Sequence, residues 1–375
     1  MTARFRTLFL IISIPVITIL AGISDYPPSF DRWGYDQLNS YFKPISVAEN
    51  RIVLIDIDAK SIDQYSGWPL SRELHARAVE KLTAAKVASL TYNIVFAQPD
   101  LSTGSNDPQL LKAIKANGRV VLPVIAEHGR EIYPFAMPAV DGAVYAHADL
   151  STDIDGHLRR SYLWAGMQFP RWPSMALASL QKYAPVKAND HSGLRTPYLH
   201  IAFSDLWSRD HKIWLPMGAG SFLHDVQRYR FSELITGQIP QDQLRNKAIF
   251  VGISDERIEQ KIPVYADQRF FSTEIHAFVF AGLNQGFVLS PSLPVWSTGL
   301  GIFSAFCLAS VLLLVMPLWA RLLFLCLFGT SVSMPLLLIG EGYWISYFPS
   351  LVGIAVVLLI SLYKVMSNKL KKSPV

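Results

Sequence analysis

Charge and cysteine are both scarce in this chain. Asp, Glu, Lys and Arg make up 17% of its 375 residues, against about a quarter in a soluble domain. Hydrophobic residues reach 51% and the mean hydropathy is +0.26. That balance excludes a disordered chain and a soluble protein of ordinary composition. It suits a globular part joined to membrane helices. The two cysteines, Cys307 and Cys326, both sit in apolar runs, so no disulfide framework exists beyond one pairing. Catalytic signatures are missing as well: there is no G-x-S-x-G elbow, H-E-x-x-H, P-loop or G-x-G-x-x-G. The nine histidines are scattered without metal-ligand spacing. No internal repeat or low-complexity tract interrupts the chain.

The positive charge has a pattern. Arg4, Arg6, Arg321, Lys364, Lys369, Lys371 and Lys372 flank apolar runs with no acidic residue beside them, and these seven exceed the whole net charge of +5. The remainder is close to neutral, which excludes a nucleic-acid footprint. The apolar runs are Phe5–Ile23, Val295–Leu318, Leu322–Ile339 and Ile345–Met366. Each is long enough as a helix to cross a hydrocarbon core of about 30 Å. The first reads as an uncleaved anchor, with a signal peptide as the rival reading. The last three are joined by short turns, which predicts antiparallel neighbours.

Basic flanks mark the cytoplasmic side. They predict an N-terminal anchor over 1–23, an extracytoplasmic domain over 24–294, a three-helix bundle over 295–366 and a short basic cytoplasmic tail over 367–375. The expected place is a bacterial inner membrane, with both termini in the cytoplasm. Ser297, Gly301, Ala305 and Ala309 recur at every fourth residue of the second run, a small-residue stripe that lets helices pack closely in the bundle or against another chain.

The extracytoplasmic stretch reads as α/β, with a parallel or mixed sheet. Arg51–Ile57, Val87–Tyr92 and Arg119–Ile125 are strand-like, with helices after Ser71 and over Gln109–Ala116 between them. Weaker strands are expected at Leu158–Gly166, Tyr198–Phe203, Val226–Phe231 and Ala248–Val251. Helices are expected at Pro173–Tyr183, from Ser232 to Gly237, and over Thr273–Gln285, stopped by Gly286.

Asp56 and Asp58 end the first strand two residues apart, so both point to one side. Two carboxylates this close need a cation, a shared proton or basic partners. The carboxyl end of a parallel strand is also where open α/β sheets bind ligands. Asn93 ends the next strand, and Arg72 and His75 begin the helix between. A structural reading stands beside this one: Asp58 with Ser61 forms an Asx-type turn, and Arg72 holds Asp56. Trp68 is either a lid on the core or a ligand platform. The candidate ligand-binding set is Asp56, Asp58, Ser61, Trp68, Arg72, His75 and Asn93. The Asp153–Arg160 stretch lacks the further oxygen ligands of a calcium loop and reads as a turn. No catalytic residue, metal ligand or cofactor is expected.

Taken in order, Ile55–Ile62, Gly67–Arg72, His75-Ala76, Ile94–Asp100, Asp155–Arg159, Lys247–Gly252 and Glu274–Ala277 resemble the second type of CHASE domain, the cyclase/histidine kinase-associated sensory extracellular domain. The resemblance covers about residues 28–290 and the pattern of one anchor followed by three membrane helices. It implies a bacterial extracytoplasmic sensor whose ligand class is open. Asn93 stands where the family usually has Asp. Members usually continue into a cytoplasmic cyclase or kinase module, whereas only 367–375 follow the last run here. The expectation is therefore a receptor-like sensory protein, not an enzyme, signalling in trans through a protein partner. An envelope scaffold or assembly factor is the alternative, and an ectoenzyme using Asp56 and Asp58 with a divalent cation the third. Expected partners are the lipid bilayer, a signalling or envelope protein, and a second copy of the chain.

Overall fold

The computed structural model describes residues 29–39, 51–99, 107–134, 142–189, 207–216, 225–265, 267–286, 290–291, 294–312, 318–340, 343–346, 350–359 and 362. The chain forms two units, one over residues 39–288 and one from 1–38 with 289–375. In order the elements are α1 (Ser29–Asn39), β1 (Ile52–Ile57), α2 (Ala59–Gln64), α3 (Arg72–Ala84), β2 (Ser89–Tyr92), α4 (Asp107–Asn117), β3 (Val120–Glu127), β4 (Arg130–Ile132), β5 (Ala143–His147), β6 (Arg160–Met167), β7 (Trp172–Pro173) and α5 (Met175–Tyr183). There follow α6 (Pro185–Asn189), β8 (Trp207–Trp214), β9 (Gln227–Arg230), α7 (Phe231–Thr236), β10 (Ala248–Ile253), β11 (Ile262–Tyr265), β12 (Gln268–Phe270), α8 (Ser272–Gln285), β13 (Ser290–Pro291), α9 (Pro294–Leu312), α10 (Leu318–Gly340) and β14 (Tyr343–Trp344).

The larger unit is built on a mixed sheet of order β4-β3-β2-β10-β1-β9, with β5 also on β3. Every pairing is parallel except β3 with β4. Strand β1 is apolar on both faces because both are covered. Val53, Ile55 and Ile57 pack with Leu74, Ala78, Val79 and Leu82 of α3, Leu110 and Ile114 of α4, and Phe231 of α7. Ile52 and Leu54 face the other way, into a core with Phe250, Leu177 and Leu180 of α5 and Ile275, Val279 and Phe280 of α8. A three-stranded antiparallel sheet, β7-β6-β8, adds Leu163 and Ile213 to that second core.

Local chemistry sets the helix ends. Ser71 caps α3 by accepting the Leu74 N–H at 3.4 Å, and Ser174 caps α5 at Leu177. Gly237 and Gly286 close α7 and α8 in the left-handed conformation (φ 77° and 69°). The start of α7 departs from expectation: the chain enters it at Phe231, one residue before Ser232, whose N–H is held by Ser61 Oγ at 3.1 Å. Strand β8 was not expected, because its polar sequence WSRDHKIW carries little apolar signal. The strand expected at Tyr198–Phe203 lies outside the described residues.

In the other unit α9 packs on α10, with Ser304 Oγ and Ser331 Oγ 2.8 Å apart and buried. Tyr35 meets Trp344 edge-on, ring centroids 5.0 Å apart. These helices overlie the second and third expected spans, and residues 350–359 are helical within the fourth. Among the described residues, no helix is long and apolar enough to cross a membrane, so the four crossings stand as a proposal. The expected anchor over 1–23 and tail over 367–375 lie outside the described residues.

Candidate functional site

Strand β1 delivers Asp56 and Asp58 to the carboxyl edge of the sheet, and its neighbour β9 delivers two arginines. Both strands are parallel, with Leu54 opposite Arg228 and Asp56 opposite Arg230. Arg228 Nε donates to Asp56 Oδ2 at 2.9 Å and Nη2 to Oδ1 at 3.3 Å. Its Nη1 donates to Glu274 Oε1 at 2.6 Å. The second Glu274 oxygen accepts the Phe271 N–H at 2.7 Å, which pins the first turn of α8. Burial raises the Asp56 carboxyl above its usual range, although Arg228 pulls it back; Glu274 and Asp58 add to the rise.

Asp58 has a second duty. Its Oδ1 accepts Ser61 N–H at 2.9 Å and Ser61 Oγ–H at 2.6 Å, capping α2. Its Oδ2 accepts Arg230 Nε at 3.0 Å. Arg230 in turn precedes α7, where Glu233 Oε2 accepts its backbone N–H at 2.9 Å. The Asx-type turn from Asp58 to Ser61 is thus present, and an ion pair is added to it.

Asn93, at the end of β2, donates through Nδ2 to Ser272 Oγ (2.8 Å) and Thr273 Oγ1 (3.0 Å). Glu259 Oε1 accepts the Ser272 N–H at 2.8 Å, and burial raises this carboxyl, with Glu274 contributing. The first turn of α8 is therefore gripped from β2, from β9 and from the loop after β10. Gly252, opposite Asp56 on β10, has no room for a side chain: a Cβ there would meet Thr273 Oγ1 at 1.8 Å. Four carboxylates (Asp56, Asp58, Glu233, Glu274) engage two guanidiniums, with Glu259 beside them on the α8 turn. The excess of negative charge suits a cationic or hydrogen-bond-donating group, which must displace a guanidinium because both oxygens of Asp56, Asp58 and Glu274 are already engaged. Among the described residues, no group of three or more His, Cys, Asp or Glu side chains is arranged to hold a metal ion.

The other candidates lie elsewhere. Arg72 donates from Nε to Asp107 Oδ1 at 3.1 Å and from Nη2 to the Gln98 carbonyl at 2.9 Å, with its guanidinium 4.6 Å from the Phe96 ring centre. His75 is buried between Tyr92, Phe96 and Phe231, its Nδ1 2.7 Å from the Tyr92 hydroxyl. Burial, then Arg72, lowers it to about 3. Trp68 is half-buried on the α3-side core. Asp153 is buried between Arg159 and Arg160 at 3.0 and 2.7 Å. The expected pairing of Arg72 with Asp56 is replaced by Arg228. Asp56 shares the face of Ile52 and Leu54, turned away from α3. The missed signal is Arg-x-Arg at 228–230, the same two-residue period as Asp-x-Asp at 56–58.

In the stripe of small residues, Gly301 and Ala305 are buried and Ala309 is partly so, while Ser297 contributes backbone to α9.

No curated protein and no solved structure gives a match to this chain. The family model described as CHASE2 domain matches residues 10–314, well over half the length. The family is one of extracellular sensory domains rather than catalytic ones, and an α/β sheet with a polar carboxyl edge suits that role. The chain belongs to the CHASE2 domain family.

Proposed function

We propose that this chain is a multi-pass sensory protein of a bacterial inner membrane, with residues 24–294 outside and both termini in the cytoplasm. In this reading its ectodomain binds a ligand or protein at the carboxyl edge of the sheet and passes the change to a separate protein partner. The Asp56–Arg228–Glu274 network carries the reading. It joins the end of β1 and the edge strand β9 to the first turn of α8, and α8 is the element that leads in sequence to α9. A cationic or hydrogen-bond-donating ligand that competes with Arg228 for Asp56 and Glu274 releases that turn, and a displacement between discrete packings follows.

Two observations support the membrane part. The seven basic flanks agree on one orientation. In α9 and α10, large apolar side chains point outward, with Phe306 59%, Trp319 70% and Leu337 73% exposed, while Ser304 and Ser331 pair inside. Apolar-out and small-or-polar-in is the arrangement favoured in lipid.

The test is purification of the full chain from its own membranes in mild detergent. A stoichiometric signalling protein should accompany it, and Arg228→Ala should change that protein's output in cells. Gly301→Leu should break the complex while the ectodomain stays folded. If the chain purifies alone and Arg228→Ala leaves cellular signalling outputs unchanged, signalling in trans fails and the envelope-scaffold reading takes its place.

A further inference from the structure

The amino edge of the same sheet opens into a cleft of about 670 Å³ whose lining includes Thr83, Lys86, Asn117, Arg119, Tyr183 and Asn246. It lies at the starts of β2, β3 and β10, the opposite end from Asp56. Three helices finish there: Thr83 is in the last turn of α3, Asn117 closes α4 and Tyr183 closes α5. Two turns feed β2 and β10, with Lys86 and Asn246 both at positive φ (54° and 55°). They are tied together by Asn246 N–H to the Lys86 carbonyl at 3.1 Å and Ala88 N–H to the Lys247 carbonyl at 2.9 Å. Two left-handed non-glycine residues, held by each other's backbone, make a defined wall.

The lining carries two cations and no carboxylate. Arg119 commits Nη1 to the Ala88 carbonyl at 3.0 Å. Among the described residues, no hydrogen bond or ion pair engages the Lys86 ammonium, the Asn246 amide or the Tyr183 hydroxyl. The helix C-termini set partial negative charge at the edge of the cleft, while the last carbonyls of α3 and the Gly118 carbonyl are already engaged by Ala85, Lys86 and Val87 N–H groups and by Lys182 Nζ. A bare anion meets that charge as repulsion, whereas a hydroxyl is neutral and finds the Asn246 amide and the Tyr183 hydroxyl as partners. The cations require the reverse. A molecule that carries both an anion and several hydroxyls satisfies each wall.

We propose that this cleft binds a small hydroxylated carboxylate of the sugar-acid class, with its carboxylate on Lys86 and Arg119 and its hydroxyls on Asn246 and Tyr183. This site is independent of the carboxyl-edge network.

The experiment is calorimetric titration of the detergent-solubilised full chain with glucuronate, galacturonate and gluconate, and with glucose and acetate as the two halves of the ligand. At least one sugar acid should bind, with glucose and acetate giving no heat at the same concentrations. Lys86→Gln, at an exposed position, should weaken binding about tenfold and leave the melting temperature of the unliganded chain unchanged. The proposal is overturned if none of the three sugar acids binds, if glucose or acetate binds as tightly, or if Lys86→Gln binds as the parent does.

Discussion

Arg228 reaches Asp56 across a diagonal of the parallel ladder. Its register partner on β1 is Leu54, yet its guanidinium closes on the carboxylate two residues further along, at 2.9 Å. Arg230 repeats the offset with Asp58 at 3.0 Å. Two pairs with one offset tie the edge strand β9 to its neighbour β1 beyond the backbone hydrogen bonds, and the first pair also holds α8 through Glu274.

Removing Arg228 leaves two carboxylates without their cation, one of them, Glu274, only 9% exposed. Arg228→Ala should cost about 2–3 kcal/mol, read as a lower denaturant midpoint. Adding Glu274→Gln should recover part of the loss, because the stranded charge goes. A double variant no more stable than the single one would mean that Arg228 acts by packing alone.

Gly252→Ala should be more damaging than its single methyl suggests. The added Cβ would lie 1.8 Å from Thr273 Oγ1 and 2.8 Å from Thr273 Cβ, so β10 and α8 must part. We expect a loss of roughly 3 kcal/mol, with Thr273→Gly restoring most of it. Unchanged thermal stability in Gly252→Ala would refute the close approach.

Three histidines should make the ectodomain acid-labile. Burial lowers His75 to about 3, helped by Arg72, and His276 to about 3, helped by His147. It lowers His147 to about 4 against the pull of Asp149. All three are neutral when folded and take up protons near 6.5 when unfolded. Their stabilising effect is therefore complete above pH 6.5 and falls as pH drops from there toward 4, where unfolding binds up to three extra protons. The slope of unfolding free energy against pH should approach about 1.4 kcal/mol per unit for each histidine. His75→Leu should remove one third of that slope, whatever it does to stability itself. A flat profile between pH 6.5 and 4 would show that the imidazoles are accessible.

The proposed topology has a direct readout. Alkaline phosphatase fused after Gln285 should be active, and the same enzyme fused after Val375 inactive. The reverse pattern would end the membrane orientation and with it the extracytoplasmic place of the Asp56 site.

Some of this protein was legible in the residues alone, because the signals are local. The apolar run of β1, the Ser71 cap of α3 and the glycine stops at Gly237 and Gly286 each depend on neighbours within a few residues, where propensity and capping act. The ordered segments from Ile55 to Ala277 pointed to the CHASE family on the same footing. Strand β8 and the arginine partners of Asp56 and Asp58 were not legible in this way, whereas the Asp58–Ser61 turn was. A parallel strand meets its neighbour only through a distant crossover, and no local energy distinguishes Arg72 from Arg228 as the cation for Asp56. Strand alternation already turned Asp56 toward the face of Leu54. Only the placing of β9 beside β1, and of the α8 start over Gly252, decided which charges it would find there.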